Sequence, residues 1–183
     1  MWMTVSIVAA VAAFGSFAWG VKGHFRSDRE MPLKMKTLSL ASLFAFMHFM
    51  LVAPNQELQI SGQLISIFFS IGATLLFWWA VKTTRKRPPS VAHANEIPDM
   101  IHDKGPYRYV RHPFYLSYSL FWAGLAIAVG SWQWLAFIIL VGWYYATARE
   151  EEERFKRSSV AQAYSDYRTR TGMIFPKLSV ILR

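Results

Sequence analysis

The segment Gly105-Pro106-Tyr107-Arg108-Tyr109-Val110-Arg111-His112-Pro113-Phe114-Tyr115 brings a guanidinium, an imidazole and several phenols to the edge of an apolar stretch. Pro113 suits the first turn of a helix, where its missing N–H costs nothing. The N–H groups of such a turn lack partners within the helix, and the helix dipole adds positive character there. With Arg111 and His112 beside it, this helix start can hold an anionic group. The same pair also suits a lipid–water boundary, so residue types alone support both readings.

A second set of chemistry-bearing residues follows at Glu150-Glu151-Glu152-Glu153. Glu150–Arg154, Glu152–Lys156 and Glu153–Arg157 have the i,i+4 spacing that supports a solvated helix face. Four carboxylates near a membrane and an Arg-His pair also form an ionisable cluster of the kind found in functional clefts. The two sets meet only if the chain between them turns back on itself.

The composition explains how it does. Of 183 residues, 54% are hydrophobic, with 8 Trp and 14 Phe, and the apolar residues fall in long blocks, as in a membrane protein. With no Cys there is no disulfide, no thiolate nucleophile and no Cys-ligated zinc; no metal site is expected. The length allows one domain of ordinary size.

Five apolar blocks are visible, at about 1–21, 38–53, 58–81, 113–129 and 132–148. In the first, positive charge follows the apolar run at Lys22, His24, Arg26 and Arg29, which predicts a retained helix instead of a cleaved leader. His48, inside the second block, is expected to be neutral and bonded within the bundle; an ionisable residue in a membrane helix is otherwise a functional suspect. Pro54 to Glu57 forms a turn, and Pro88-Pro89 excludes a continuous helix in the polar loop 82–111. Gly130-Ser131 joins the fourth and fifth blocks as an antiparallel hairpin. Beyond Ala148 no breaker occurs until Gly172, so the fifth helix is expected to continue to about Arg168.

All 20 Lys and Arg fall within 22–36, 82–111 and 149–183. Five spans put these three regions on one side, which the positive-inside rule makes the cytoplasm. Met1 and the turns near Asn55 and Gly130 then face outwards. The net charge of +9 is therefore expected to meet anionic membrane lipids and not nucleic acid. The predicted fold is all-α and polytopic, with five transmembrane helices. A cytosolic site is built from the loop before the fourth helix and the helix after the fifth.

Residues 105–115 resemble the signature of the isoprenylcysteine carboxyl methyltransferase and phospholipid methyltransferase superfamily, integral-membrane enzymes that use S-adenosylmethionine. Glu150–Glu153, Tyr164, Tyr167, Arg170 and Pro176 are similar, in order and spacing, to that family's acidic pair, two tyrosines, Arg-containing segment and late proline. The resemblance covers about 101–177, so 101–183 is expected to be the methyltransferase core and 1–100 to supply three membrane helices and the start of the cytosolic loop. Three departures stand out: Ser117 in place of the usual Gly, Val160-Ala161 in place of Phe-Gly, and Gly172 in place of a proline.

The resemblance implies an S-adenosylmethionine site lined by Gly105, Tyr107, Val110, Arg111, His112, Pro113, Tyr115 and Leu116 together with the acidic pair. Spacing to Tyr164 favours Glu152 and Glu153 as that pair, with Glu151 the alternative. Arg111 and His112 suit the cofactor's carboxylate, and Glu152 or Glu153 its ammonium or ribose. Arg170 and Glu153 are the candidate catalytic residues, Arg170 orienting an anionic acceptor. The acceptor is expected to be lipophilic, a carboxylate needing no base and an amine or thiol needing deprotonation. The alternatives are a phospholipid N-methyltransferase, a sterol-reductase-like NADPH enzyme and a non-catalytic membrane scaffold.

Overall fold

The computed structural model describes residues 1–26, 31–56, 59–93, 97–130 and 132–177. Among the described residues six α-helices run in chain order: α1 Trp2–Gly23, α2 Leu33–Val52, α3 Ile60–Thr84, α4 Pro113–Val129, α5 Trp132–Lys156 and α6 Ala161–Arg170. Short 3-10 turns occupy Ala53–Asn55 and Gly105–Arg108. No strand occurs among the described residues; two isolated parallel bridges, Arg26 with Ser90 and Val110 with Gly172, are the only sheet-like pairings. Arg29, Glu57, Ser131 and everything beyond Lys177, on which parts of the charge and turn reading rest, lie outside the described residues.

Three helical stretches, Trp2–Gly23, Leu33–Asn55 and Ile60–Thr84, are long and apolar enough to cross a membrane, and α4 is a shorter apolar helix. α2 begins five residues before the apolar block, because Pro32 caps it and its carbonyl accepts from the N–H groups of Met35 and Lys36. Large apolar side chains such as Phe44, Leu51, Phe68, Leu75 and Ile138 point outwards. Contiguous apolar surface on this scale is far beyond what a monomer exposes to water.

α4 is the centre of the bundle: twelve of its 17 residues are buried, so its neighbours leave it almost no lipid-facing surface. It packs closely on α3, where a Cβ on Gly124 would come within 2.6 Å of Phe69 Cβ. Ser117, the residue at the family's usual Gly position, is buried there and donates its hydroxyl to the Ala73 carbonyl of α3 at 2.8 Å. Aromatic rings fill the remaining core, Phe14 stacking on Phe46 with 4.2 Å between centroids. His48 is bonded within the bundle as expected, its Nδ1 lying 3.1 Å from Oε1 of the buried Gln133.

The expectation of one helix to about Arg168 is corrected. α5 ends at Lys156 and α6 restarts at Ala161. The break has a local cause: Ser158 Oγ donates to the Phe155 carbonyl and accepts from the Val160 N–H. Serine diverts backbone groups from helical pairing in this way. The turn sends α6 back against α5, with Phe155 stacked on Tyr164 at 4.3 Å.

Candidate active site

The motif loop is fixed at both ends by backbone. Gly105 adopts φ +57°, and a side chain there would also strike Thr83 of α3. At the other end, Gly172 N–H donates to the Tyr109 carbonyl, while the N–H groups of Arg111 and His112 donate to the carbonyls of Gly172 and Met173 at 2.9 and 3.0 Å. The chain then bends so sharply that a Cβ on Gly172 would overlap the Phe175 carbonyl oxygen. Only glycine fits there, which accounts for the departure from proline. Tyr167 completes the clamp by donating its hydroxyl to the Tyr107 carbonyl at 2.6 Å.

His112 sits at the N-cap of α4 with Pro113 in the first turn, and no side chain caps the helix. Across from it lie the carboxylates of α5. Arg111 Nε donates to Glu152 Oε1 at 2.6 Å, and its Nη1 donates to the Thr171 carbonyl. Both side chains of this pair are under a tenth exposed. His112 Nδ1 is 3.4 Å from Glu151 Oε2 and its Nε2 is 3.5 Å from Glu152 Oε1. Tyr115 donates its hydroxyl to Glu151 Oε1 at 2.7 Å. Arg168 reaches the second oxygen of Glu152 at 3.4 Å.

The electrostatics follow from these contacts. Burial opposes ionisation of Glu152, yet hydrogen bonds and charge from His112 and Arg111 outweigh it and hold the carboxyl at about 2. Burial likewise opposes protonation of His112, and hydrogen bonds and charge from Glu151 and Glu152 overcome it, raising the imidazole above its ordinary 6.5. Burial first, then the Glu152 carboxylate, lifts the Tyr164 phenol well above the usual tyrosine range.

A helix turns by about 100° per residue, so four consecutive glutamates face four ways. Glu150 meets Lys34 of α2 and His93 of the polar loop. Glu151 faces the interior, and Glu152 is the hub of the Arg111–His112 cluster. Glu153 is solvated and pairs with Lys156.

Two adjoining cavities open beside this cluster. The inner one, about 150 Å³, has mostly apolar and aromatic walls, including Met35, Leu38, Phe114, Tyr118 and Tyr144. The outer one, about 410 Å³, is lined by Arg26, Arg87, Arg154, Asp99 and His102 among others. Glu151 lines both, as do Pro89, Ser90, Val91, His102 and Phe155. Burial first, then Arg26 among other neighbours, keeps His102 below its ordinary value and so neutral near pH 7.

Of the residues singled out from sequence, Tyr107, Arg111, His112, Pro113 and Tyr115 line the inner cavity. Val110 is buried in its bridge to Gly172 and Leu116 packs against the core; with Gly105 they shape the loop without lining either cavity. Glu152 lies behind the wall. Of the four glutamates, the one that reaches the cavities is Glu151, the alternative, and not Glu153. Arg170 is not brought to the cavities either: it is exposed at the end of α6, with Nε 3.4 Å from the Asp166 carbonyl. Sequence reasoning missed Tyr144 and Phe155, although the spacing 144, 151, 155 marks one face of α5. Arg26 and His102 carried no such signal, because they reach the outer cavity from separate loops.

The family model described as phospholipid methyltransferase matches residues 43–163, about two thirds of the chain. The chain belongs to the phospholipid methyltransferase family. Membership makes it a methyltransferase of a membrane-protein family, in keeping with its three long apolar helices. No curated protein matches the chain. The matched region of this methyltransferase takes in the motif loop, the α4–α5 hairpin and all four glutamates. It ends just before Tyr164, so the residues that clamp the loop from below lie beyond it.

Proposed function

We propose that this methyltransferase transfers a methyl group from S-adenosylmethionine to a lipophilic acceptor, at a site on the cytoplasmic face of a five-span bundle. The observation that carries the reading is Glu151, a carboxylate shared by an apolar cavity inside the bundle and a polar cavity at its edge. The inner cavity alone is smaller than the roughly 300–1,000 Å³ of ordinary small-molecule sites. The outer one falls within that range, so the cofactor is assigned to the outer cavity and the shared wall.

The donor set fits an S-adenosylmethionine-sized zwitterion. Glu151 suits the ammonium or the ribose hydroxyls, and the guanidiniums of Arg26, Arg87 and Arg154 suit a carboxylate. His112, with Nε2 3.5 Å from Glu152 Oε1, and Tyr164 both line the inner cavity with buried polar atoms. When bound, the cofactor supplies an electrophilic methyl group on a sulfonium. Tyr115 and Tyr144, stacked with 5.7 Å between centroids, give the inner cavity an aromatic wall. Tyr118, Phe114 and Leu38 exclude water from the transfer, which otherwise needs mainly proximity and alignment.

Arg111, paired with Glu152 and Thr171, acts in this reading by holding α5 against the loop. Arg170 and Glu153 act outside the cavities; their earlier assignment to transfer stands or falls with the acceptor. An isoprenylcysteine-type carboxylate would need no base, whereas a phosphatidylethanolamine-type amine would lose a proton, for which Glu151 is the carboxylate at hand. Calorimetric titration of the purified protein with S-adenosylhomocysteine, then NADPH, tests the cofactor; binding of NADPH alone would overturn it. Labelled-cofactor assays with prenylated thio-acids, fatty acids, phosphatidylethanolamine and small thiols would then identify the acceptor class.

A further inference from the structure

His93 is the one non-glycine residue among those described with a left-handed backbone, φ +64°. Such a conformation persists in a residue with a side chain only where its surroundings hold it. Its surroundings are specific. The imidazole is 5% exposed, with Nδ1 3.3 Å from Glu150 Oε2 and Nε2 3.2 Å from both Trp143 Nε1 and Thr147 Oγ1. Trp143, Thr147 and Glu150 follow one another at i, i+4 and i+7 along a single face of α5.

The partners fix the tautomer. An indole N–H only donates, so His93 Nε2 carries the lone pair and Nδ1–H donates to Glu150. The Thr147 hydroxyl donates to the Trp143 carbonyl at 2.9 Å. Glu150 in turn takes the ammonium of Lys34 from α2.

The segment just before His93 is held at its other end by α1. Arg26 N–H donates to the Pro89 carbonyl at 3.0 Å, and Val91 N–H donates to the Arg26 carbonyl at 2.8 Å. Pro89–His93 is thus a strap tied to the end of α1 and to the middle of α5. Pro89, Ser90 and Val91 form part of the wall of both cavities, and Ala92 part of the inner one. The α5 tether falls at Glu150, next to the Glu151 that those cavities share.

We propose that His93 is a positioning residue: its neutral imidazole latches the Pro89–His93 strap to Trp143 and Glu150, and so sets the wall of the cofactor cavity against Glu151. This rests on the S-adenosylmethionine reading for its ligand, but the latch itself can be observed without one. With the latch open, only a fraction of molecules present a formed wall, and apparent affinity falls by that fraction.

The test uses the full-length purified protein, with His93→Ala, Trp143→Phe and the double variant. Without ligand, His93→Ala should speed hydrogen exchange at the Val91 amide by about tenfold or more, a loss on the order of one or two hydrogen bonds. S-adenosylhomocysteine should bind it about tenfold more weakly, with kcat at saturating cofactor within about twofold of wild type. Trp143→Phe keeps an aromatic ring, though a smaller one, and loses the indole donor, so it should show a smaller effect in the same direction, and the double variant should be no worse than His93→Ala. His93→Asn, which tolerates the left-handed backbone and replaces one of the two bonds, should recover part of the loss. Unchanged exchange and affinity in His93→Ala, or a fall in kcat with unchanged KM, overturns the proposal. If His93→Ala does not fold, Trp143→Phe decides by the same two readouts. Failure of the wild type to bind S-adenosylhomocysteine refutes the cofactor reading, and the exchange measurement still decides the latch.

Discussion

Glu152→Gln is the substitution whose effect can be worked out furthest. Glu152 is 5% exposed and its oxygens face Arg111, His112 and Arg168. A carboxyl held at about 2 against an ordinary 4.5 contributes roughly 3 kcal/mol of stability once fully ionised. Removing one partner of a buried ion pair costs about 3–5 kcal/mol by an independent route, because the other charge stays buried. The two figures agree. For a chain of this size a loss of about 3 kcal/mol lowers the melting temperature on the order of 10 °C. The sign of the pH dependence is also fixed. The Glu152 contribution is present above pH 4.5 and is lost as pH falls towards 2. The His112 contribution, with its folded value raised, is present below 6.5 and is lost as pH rises through that folded value. Wild type should therefore be most stable between about 4.5 and 6.5, while Glu152→Gln should melt lower and lose most of the acid limb. Thermal melts of the two proteins in one detergent from pH 3 to 9 would measure this. Equal melting temperatures with equal acid limbs would refute a buried Arg111–Glu152–His112 cluster.

Other outcomes follow from the same geometry. Glu151→Gln should weaken S-adenosylhomocysteine binding roughly tenfold to a hundredfold in calorimetry, with a far smaller effect on stability than Glu152→Gln. Arg170→Ala and Glu153→Ala should change turnover less than about threefold, since both side chains are solvated; a hundredfold loss in Arg170→Ala would restore its role in gripping an anionic acceptor. Gly172→Ala should displace the loop by steric overlap with the Phe175 carbonyl and cost cofactor affinity, read by the same titration. Because the chain has no native cysteine, single cysteines at Asn55 and Ser159 can be labelled from either side of the membrane. Labelling from the same side would refute the five-span topology.

Much of the bundle was legible because apolar blocks and turn residues are local signals. α4 runs over the whole of its apolar block, from Pro113 to Val129. The end of α5 was not legible from breakers, since Ser158 stops the helix by side-chain bonding and is neither a Gly nor a Pro. The motif loop showed which residues bear charge, but not that Arg111 spends its charge on Glu152. The glutamate run showed four carboxylates without their directions, which depend on the phase of α5 against α4. His93 had no signal in sequence at all: its partners lie 50 to 57 residues away, and its backbone angle exists only because they are there.

The pairing of Val110 with Gly172 also sets an order of events during synthesis. Helices α1 to α5 are complete by Lys156, so they emerge before the motif loop acquires its backbone partner. Until Met173 emerges, the N–H groups of Arg111 and His112 have no carbonyls to meet, and Glu152 lacks Arg168. Domains form from their N-terminal side as the chain is made. In this protein the helices of the bundle therefore precede the residues that fix the motif loop, and a chain truncated before residue 164 would lack the Gly172 and Met173 carbonyls that hold it.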